Sequence, residues 1–258
     1  MRVALFVPCY VDQFAPSAAI AALRVLERLG LAVDVPFGAA CCGQPVANAG
    51  FAPDGQAALA RFSETFRSCD HVVVLSGSCA AHVRAHAAGA HAEGEGVARR
   101  TWEFCAFLHD VVGVAHVRSL AATLPARVAL HIGCHARRAL GVATPSELQL
   151  PAVDKARALL ETVDGLSFAP QARPDECCGF GGSFSVTEGA VSSRMGQDRL
   201  ADMRAGGATA LVTTDLSCAL HLRGLDRAAA GTMPMWHVAE VLAGMAATGA
   251  GAKSGGAT

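Results

Sequence analysis

Eight of the ten cysteines fall into two sets with one pattern: a lone cysteine, a vicinal pair followed by glycine, and a second lone cysteine. The first set is Cys9, Cys41, Cys42 and Cys79; the second is Cys134, Cys177, Cys178 and Cys218. Four thiolates are what an iron–sulfur cluster takes from a protein. In a cubane cluster a vicinal pair can bind two neighbouring iron corners while the lone cysteines cap the others. Glycine beside the pair lets the backbone come close and turn amides toward sulfur, which tunes potential. Gly43, Gly179, Gly181 and Gly182 fit that role; each would also suit a plain tight turn.

Three other readings compete. Adjacent Cα atoms lie about 3.8 Å apart, below the roughly 4.4–6.8 Å usual for a disulfide, so the pairs read as ligands and not as bridges. Structural zinc sites come as paired C-x₂₋₄-C hooks, and neither set has them. Inert core cysteine is common, but chance would have to repeat the same pattern twice. Cys69 and Cys105 have no counterpart in the other set; Cys105 falls on an amphipathic segment and reads as core.

His82 and His221 each follow the last cysteine of a set by three residues. They read as donors to a cluster from just outside its ligands, as fifth ligands, or as ordinary histidines at a helix start. His131 and His135 flank Cys134 and could also support a cluster. His71, His86, His91, His109 and His116 carry no such pattern. GFGG at 179–182 is not followed by G-x-G-x-x-G or a P-loop, so it gives no nucleotide site.

The residues that must position these cysteines repeat as well. RVALFVPC (2–9) and RVALHIGC (127–134) agree at five of eight positions. VVVLSGSCAAH (72–82) matches LVTTDLSCALH (211–221), and WEFCAFLHDVVG (102–113) resembles MWHVAEVLAG (235–244). Cys134 lies 125 residues after Cys9, Cys177 136 after Cys41, and Cys218 139 after Cys79. Offsets that drift in this way are what differing loop lengths give in two copies of one fold.

In the first copy, apolar runs predict strands at 2–7, 31–35 and 71–76. Helical spacing predicts helices at 16–29, with Gly30 at C′, at 54–67, with Asp54 as N-cap, and at 101–112. The second copy predicts strands at 127–132 and 210–214 and helices at 152–162 and 187–205. Alternation of strand and helix argues two pseudo-repeated, Rossmann-like α/β units with parallel sheets. The cysteines fall after strand ends, at the carboxyl edge where open α/β folds place ligands. The expected domains are 1–118 and 125–246, with 247–258 a disordered Gly/Ala-rich tail.

Bulk properties exclude several classes. The 258 residues carry 21 basic and 22 acidic side chains, a formal charge of −1, which lacks the basic excess of a nucleic-acid binder. Aromatics make up 5%, too few for base-stacking platforms. The N-terminal apolar run stops at Pro8 and Cys9, unlike a signal peptide. No stretch approaches the ~18 apolar residues of a membrane span. The expectation is a cytoplasmic protein, peripheral to a membrane at most through its complex.

The series CCGQP (41–45), SGSCAAH (76–82), DECCGFGGSFSV (175–186), TDLSCALH (214–221) and HVAEVL (237–242) resembles the CCG, or cysteine-rich, domain family over about 1–245. That family includes the B subunit of heterodisulfide reductase, the iron–sulfur subunit of glycolate oxidase and the lactate utilization protein A group, whose signatures the series follows in order. The resemblance implies that each set of four cysteines holds one [4Fe-4S] cluster. It implies an electron-transfer subunit of a complex oxidising L-lactate to pyruvate. Its partners would resemble lactate utilization protein B, bringing ferredoxin-type clusters, and lactate utilization protein C. With no flavin or nicotinamide motif, the chain reads as a redox subunit and not as a complete enzyme. The five-cysteine motif of heterodisulfide reductase ends in C-x-x-C, where this chain has His82 and His221. That departure favours four-cysteine cubanes over disulfide-cleaving sites. Lactate utilization proteins usually carry methionine at the His82 position, which argues against His82 as a ligand. The glycolate oxidase alternative lacks support because no C-x₂-C-x₂-C-x₃-C run is present.

Overall fold

A computed structural model describes residues 1–38 and 41–246. The tail expected to be disordered, 247–258, lies outside the described residues. In the first half the order is β1 (Arg2–Phe6), α1 (Cys9–Phe14), α2 (Pro16–Arg28), β2 (Ala32–Asp34), α3 (Gln44–Asn48), α4 (Ala52–Phe66), β3 (His71–Val74), α5 (Gly77–His86), α6 (Gly94–Arg100), β4 (Thr101–Glu103) and α7 (Phe104–Phe107). A π-helical turn, Leu108–Gly113, and α8 (Val114–Val117) lead to the second half. There follow β5 (Arg127–His131), α9 (Cys134–Arg138), α10 (Lys155–Leu160), β6 (Ser167–Phe168), α11 (Phe184–Thr187), α12 (Gly189–Ala205), β7 (Ala210–Thr213), α13 (Leu216–Ala228), β8 (Met235–His237) and α14 (Val238–Leu242).

Two four-stranded sheets result, ordered β2-β1-β3-β4 and β6-β5-β7-β8, with every pairing parallel. The orders are the same once the second half is renumbered, so the repeat seen in sequence is a repeat of topology. The central strands β1, β3, β5 and β7 are buried on both faces, which is why they read as unbroken apolar runs. The edge strands β2 and β6 are short and partly exposed.

Alternation along the central strands sorts the core. Val3, Leu5 and Val73 of one sheet join Val128, Leu130 and Val212 of the other in a single shared core. Ala4, Phe6, Val72 and Val74 face a separate cluster with Phe62, Phe66, Cys42 and Cys79. Ala129 and Leu211 face a third, with Leu200, Met203, Cys178 and Cys218. Helices α2 and α14 pack together inside the shared core.

Most sequence expectations are met, and four are corrected. Gly30 is at C′ of α2 with φ +75°. Asp54 is not the cap of α4: the cap is Phe51, Pro53 lies at the start, and Asp54 lies in the first turn. The helix expected at 101–112 opens with strand β4, because Thr101–Glu103 pairs beside β3 before the chain turns helical. The same happens at β8, within the segment 235–244 that reads as amphipathic helix. The helix expected at 152–162 begins at Lys155, where Asp154 caps it by accepting from Arg157 N–H at 2.8 Å. Among the described residues no helix is long and apolar enough to cross a membrane.

Candidate metal centres

All eight paired-set cysteines line one cavity of about 610 Å³ at the carboxyl edges of both sheets. Each lone cysteine sits in the first turn of a helix: Cys9 on α1 after β1, Cys79 on α5 after β3, Cys134 on α9 after β5, Cys218 on α13 after β7. The amide ends of helices favour anionic sulfur there. The doublets occupy the loops before α3 and before α11.

Within the first set the thiols form a hydrogen-bonded chain from Cys9 through Cys41 and Cys42 to Cys79. The Cys41 thiol is held far below its ordinary value because Cys42 and Cys9 donate to its sulfur. Gly43 N–H also points at that sulfur, at 3.4 Å. Cys42 is pushed up by its bonds to Cys41 and Cys79, and then by burial. The second set repeats the arrangement. Cys177 is held down by donation from Cys134 and Cys178, with Gly179 N–H at 3.4 Å from its sulfur and Phe180 N–H at 3.5 Å from Cys178 Sγ.

Glycine is required beside each doublet. Gly43 has φ +88°, and a Cβ there would fall 2.6 Å from the Gly55 carbonyl oxygen of α4. Gly179 has φ +89°, and its Cβ would fall 2.4 Å from the Ser192 carbonyl oxygen of α12. Gly181 and Gly182 line the cavity.

The halves meet at the cavity through Asp215, a residue that sequence reasoning missed. It caps α13 by accepting from Ser217 N–H at 3.0 Å and Ser217 Oγ–H at 2.7 Å. It also accepts from the first half: from Tyr10 Oη–H at 3.0 Å, Ser76 Oγ–H at 3.1 Å and Ser78 N–H at 3.4 Å. Ser76 in turn caps α5 by accepting from Cys79 N–H. One carboxylate therefore ties down the helix starts that carry Cys79 and Cys218. The repeat alignment offered a signal, since Asp215 stands where the first copy has Ser76.

Histidine roles differ from one another. His82 is buried on α5, with Nε2 lacking a partner among the described residues and its ring 4.9 Å from that of His86. His221 binds Ser192, with Nε2 3.3 Å from its carbonyl oxygen, and so links α13 to α12. Neither is among the described residues lining the cavity. His135 does line it, with Nδ1 3.6 Å from Cys134 Sγ and Nε2 3.5 Å from Gln44 Nε2. His131 is fully buried, and burial pushes it down to about 3. It offers a ring nitrogen within 4.8 Å of the sulfurs of Cys178 and Cys218. Cys69 and Cys105 are buried away from the cavity, in the positions of core residues.

A donor set of eight converging thiols, with backbone amides aimed at sulfur, suits a thiophilic metal or iron–sulfur group. The chain also resembles known proteins. The profile of the cysteine-rich domain matches residues 3–84 and again 128–223. The chain is 35% identical to lactate utilization protein A of Bacillus licheniformis, over 94% of this chain and 99% of that one. It is 36% identical to the protein of that name from Geobacillus kaustophilus, covering 94% and 98%, and 35% identical to that from Bacillus subtilis, covering 94% and 99%.

Proposed function

Because the chain belongs to the cysteine-rich domain family, in the lactate utilization protein A group, we propose that it is an iron–sulfur electron-transfer subunit of a complex oxidising L-lactate to pyruvate. Cys9, Cys41, Cys42 and Cys79 would hold one [4Fe-4S] cluster, and Cys134, Cys177, Cys178 and Cys218 a second. The observation that carries this reading is the convergence of both four-cysteine sets on one cavity. Bound clusters would supply one-electron acceptors side by side.

The chain's own residues supply the setting. Helix N-termini and the amides of Gly43, Gly179 and Phe180 stabilise negative charge on sulfur. Asp215 fixes the α5 and α13 starts and so holds the two sets in one relative geometry. Oxidation of the hydroxy acid releases two electrons and two protons. This chain's share is to take the electrons and hand them on, with lactate utilization protein B-like and C-like subunits as partners and the organic step lying with a partner. The complex would work in the cytoplasm.

Anaerobically purified protein should be brown and carry about four irons per cysteine set. Cys42→Ser and Cys178→Ser should each remove about half the iron, and the double variant nearly all of it. A colourless protein with stoichiometric zinc would overturn the reading.

A further inference from the structure

The two cysteine sets have different backing. Phe6 of β1 corresponds to His131 of β5, since 2–9 aligns with 127–134. The contacts at the doublet glycines extend the correspondence to the neighbouring helices. A Cβ on Gly43 would meet Gly55 and Ala58 of α4, and one on Gly179 would meet Ser192 and Met195 of α12. One helical turn further on, Phe62 corresponds to Arg199.

Behind the first set, Phe6 and Phe62 meet edge to face with ring centroids 4.9 Å apart. Behind the second, Arg199 Nε donates to His131 Nδ1 at 3.4 Å. Arg199 is 0% exposed. Its other N–H groups go to the carbonyl oxygens of Arg173 at 2.7 Å and Pro174 at 3.4 Å, to Gln171 Oε1 and to Asp202 Oδ2 at 3.0 Å. Accepting at Nδ1 fixes the tautomer, so the proton is on Nε2. That Nε2–H is buried and has no protein partner among the described residues, and the ring lies beside the sulfurs of Cys178 and Cys218.

We propose that His131, held by Arg199, donates Nε2–H to the sulfur of the second cysteine set and holds that set at the more positive reduction potential, so that electrons shared within the chain rest there. Reduction adds negative charge to a cluster. A hydrogen bond to its sulfur and a buried cation nearby both favour the reduced form. Apolar rings at the matching positions of the first set do neither. Other charges moderate the effect without cancelling it. Asp202 opposes Arg199, but its oxygens also accept from the amides of Ala172 at 2.9 Å and Arg173 at 3.2 Å. Glu176 acts against Arg199, while Arg137, paired with Asp175 at 2.9 Å, adds a cation on the same side. Facing the first set, His82 is the competing donor; its ring neighbours that of His86, and among the described residues no hydrogen bond fixes its tautomer.

The proposal rests on the iron–sulfur reading, and one sample tests both. Iron analysis of the full chain comes first: a protein without iron ends the reading and the proposal together. With iron bound, an EPR-monitored redox titration should resolve two midpoint potentials. His131→Phe, which copies the first half, should keep the iron and lower only the higher potential. The expected shift is tenfold in the one-electron partition, about 59 mV. Arg199→Gln keeps a donor to Nδ1, removes the charge and should lower the same potential, so the test survives if one variant misfolds. Equal wild-type potentials, a shift in the lower potential, or no shift in either variant would overturn the proposal. So would a folded His131→Phe chain that has lost half its iron, since His131 would then be a ligand.

Discussion

Gly43 and Gly179 set the two doublets against their helices, and both reasons for glycine can be separated by substitution. Each has a left-handed φ and each would drive a Cβ into a backbone carbonyl, at 2.6 Å and 2.4 Å. Gly50 has φ +94° but open space within 4 Å of its Cβ position. Gly50→Ala should therefore cost only the conformational term, about 1 kcal/mol. Gly43→Ala and Gly179→Ala should cost about 3 kcal/mol or more by urea unfolding and should lower the iron content of the affected set, because the clash displaces the N–H that points at Cys41 or Cys177. Equal losses at all three positions would show that close approach to the helices is unimportant. These glycines and the cysteines were legible because their types and spacing repeat. Tyr10, Asp215 and Arg199 were not. An arginine amid the polar residues of α12 looks like a solvated helix position, and only the depth of its packing against His131 shows otherwise.

The elements carrying the lone cysteines share one device, a helix start directly after a buried strand, and at α5 and α13 a side chain caps that start. Runs such as RVALF and HVVV could be read as strands from their unbroken apolar pattern, and α2 and α12 from helical spacing. Helices α5 and α13 were missed because their first turns hold motif residues and small side chains in place of a clear apolar stripe. Strands β4 and β8 were missed because three residues are too few to show a period of two before the helix begins. At those two junctions the caps are Glu103 and His237. Glu103 Oε2 accepts from Ala106 N–H at 2.9 Å, and His237 Nδ1 from Ala239 N–H at 3.1 Å. Burial pushes the Glu103 carboxyl from 4.5 up to about 7. The folded state therefore binds this proton more tightly than the unfolded chain does. Its contribution is complete below about pH 4.5 and is lost as pH rises through 7, a change of about 3 kcal/mol. Glu103→Gln keeps an acceptor for Ala106 and removes the titration. The stability difference between wild type and variant, in which His237 and every other group cancel, should fall by about that amount between pH 4.5 and pH 8. A difference independent of pH would show that Glu103 ionises freely in the fold.

At the scale of the whole molecule, the two copies are joined more tightly than two beads on a linker. We take 1–118 and 125–246 as the copies, yet Leu5 and Val73 of one share a core with Leu130 and Val212 of the other. Close approach reinforces the join: a Cβ on Gly77 of α5 would fall 2.7 Å from Ala136 Cβ of α9. Asp215, 3% exposed, takes hydrogen bonds from both halves. A half chain on its own would expose the shared face of its sheet and lose the burial that face supplies. The two halves should therefore unfold as one cooperative unit. The chain supplies its own reporters, since its two tryptophans are Trp102 on β4 and Trp236 on β8. Single-tryptophan variants, Trp236→Phe to watch the first half and Trp102→Phe to watch the second, should give coincident urea transitions once each is referred to its own circular dichroism curve. Asp215→Ala strands Tyr10 Oη and Ser76 Oγ across the join and should lower both transitions together, by about 2–3 kcal/mol. Separate transitions, or a shift confined to the Trp236 signal, would mean that each copy is stable alone and that Asp215 is only the cap of α13.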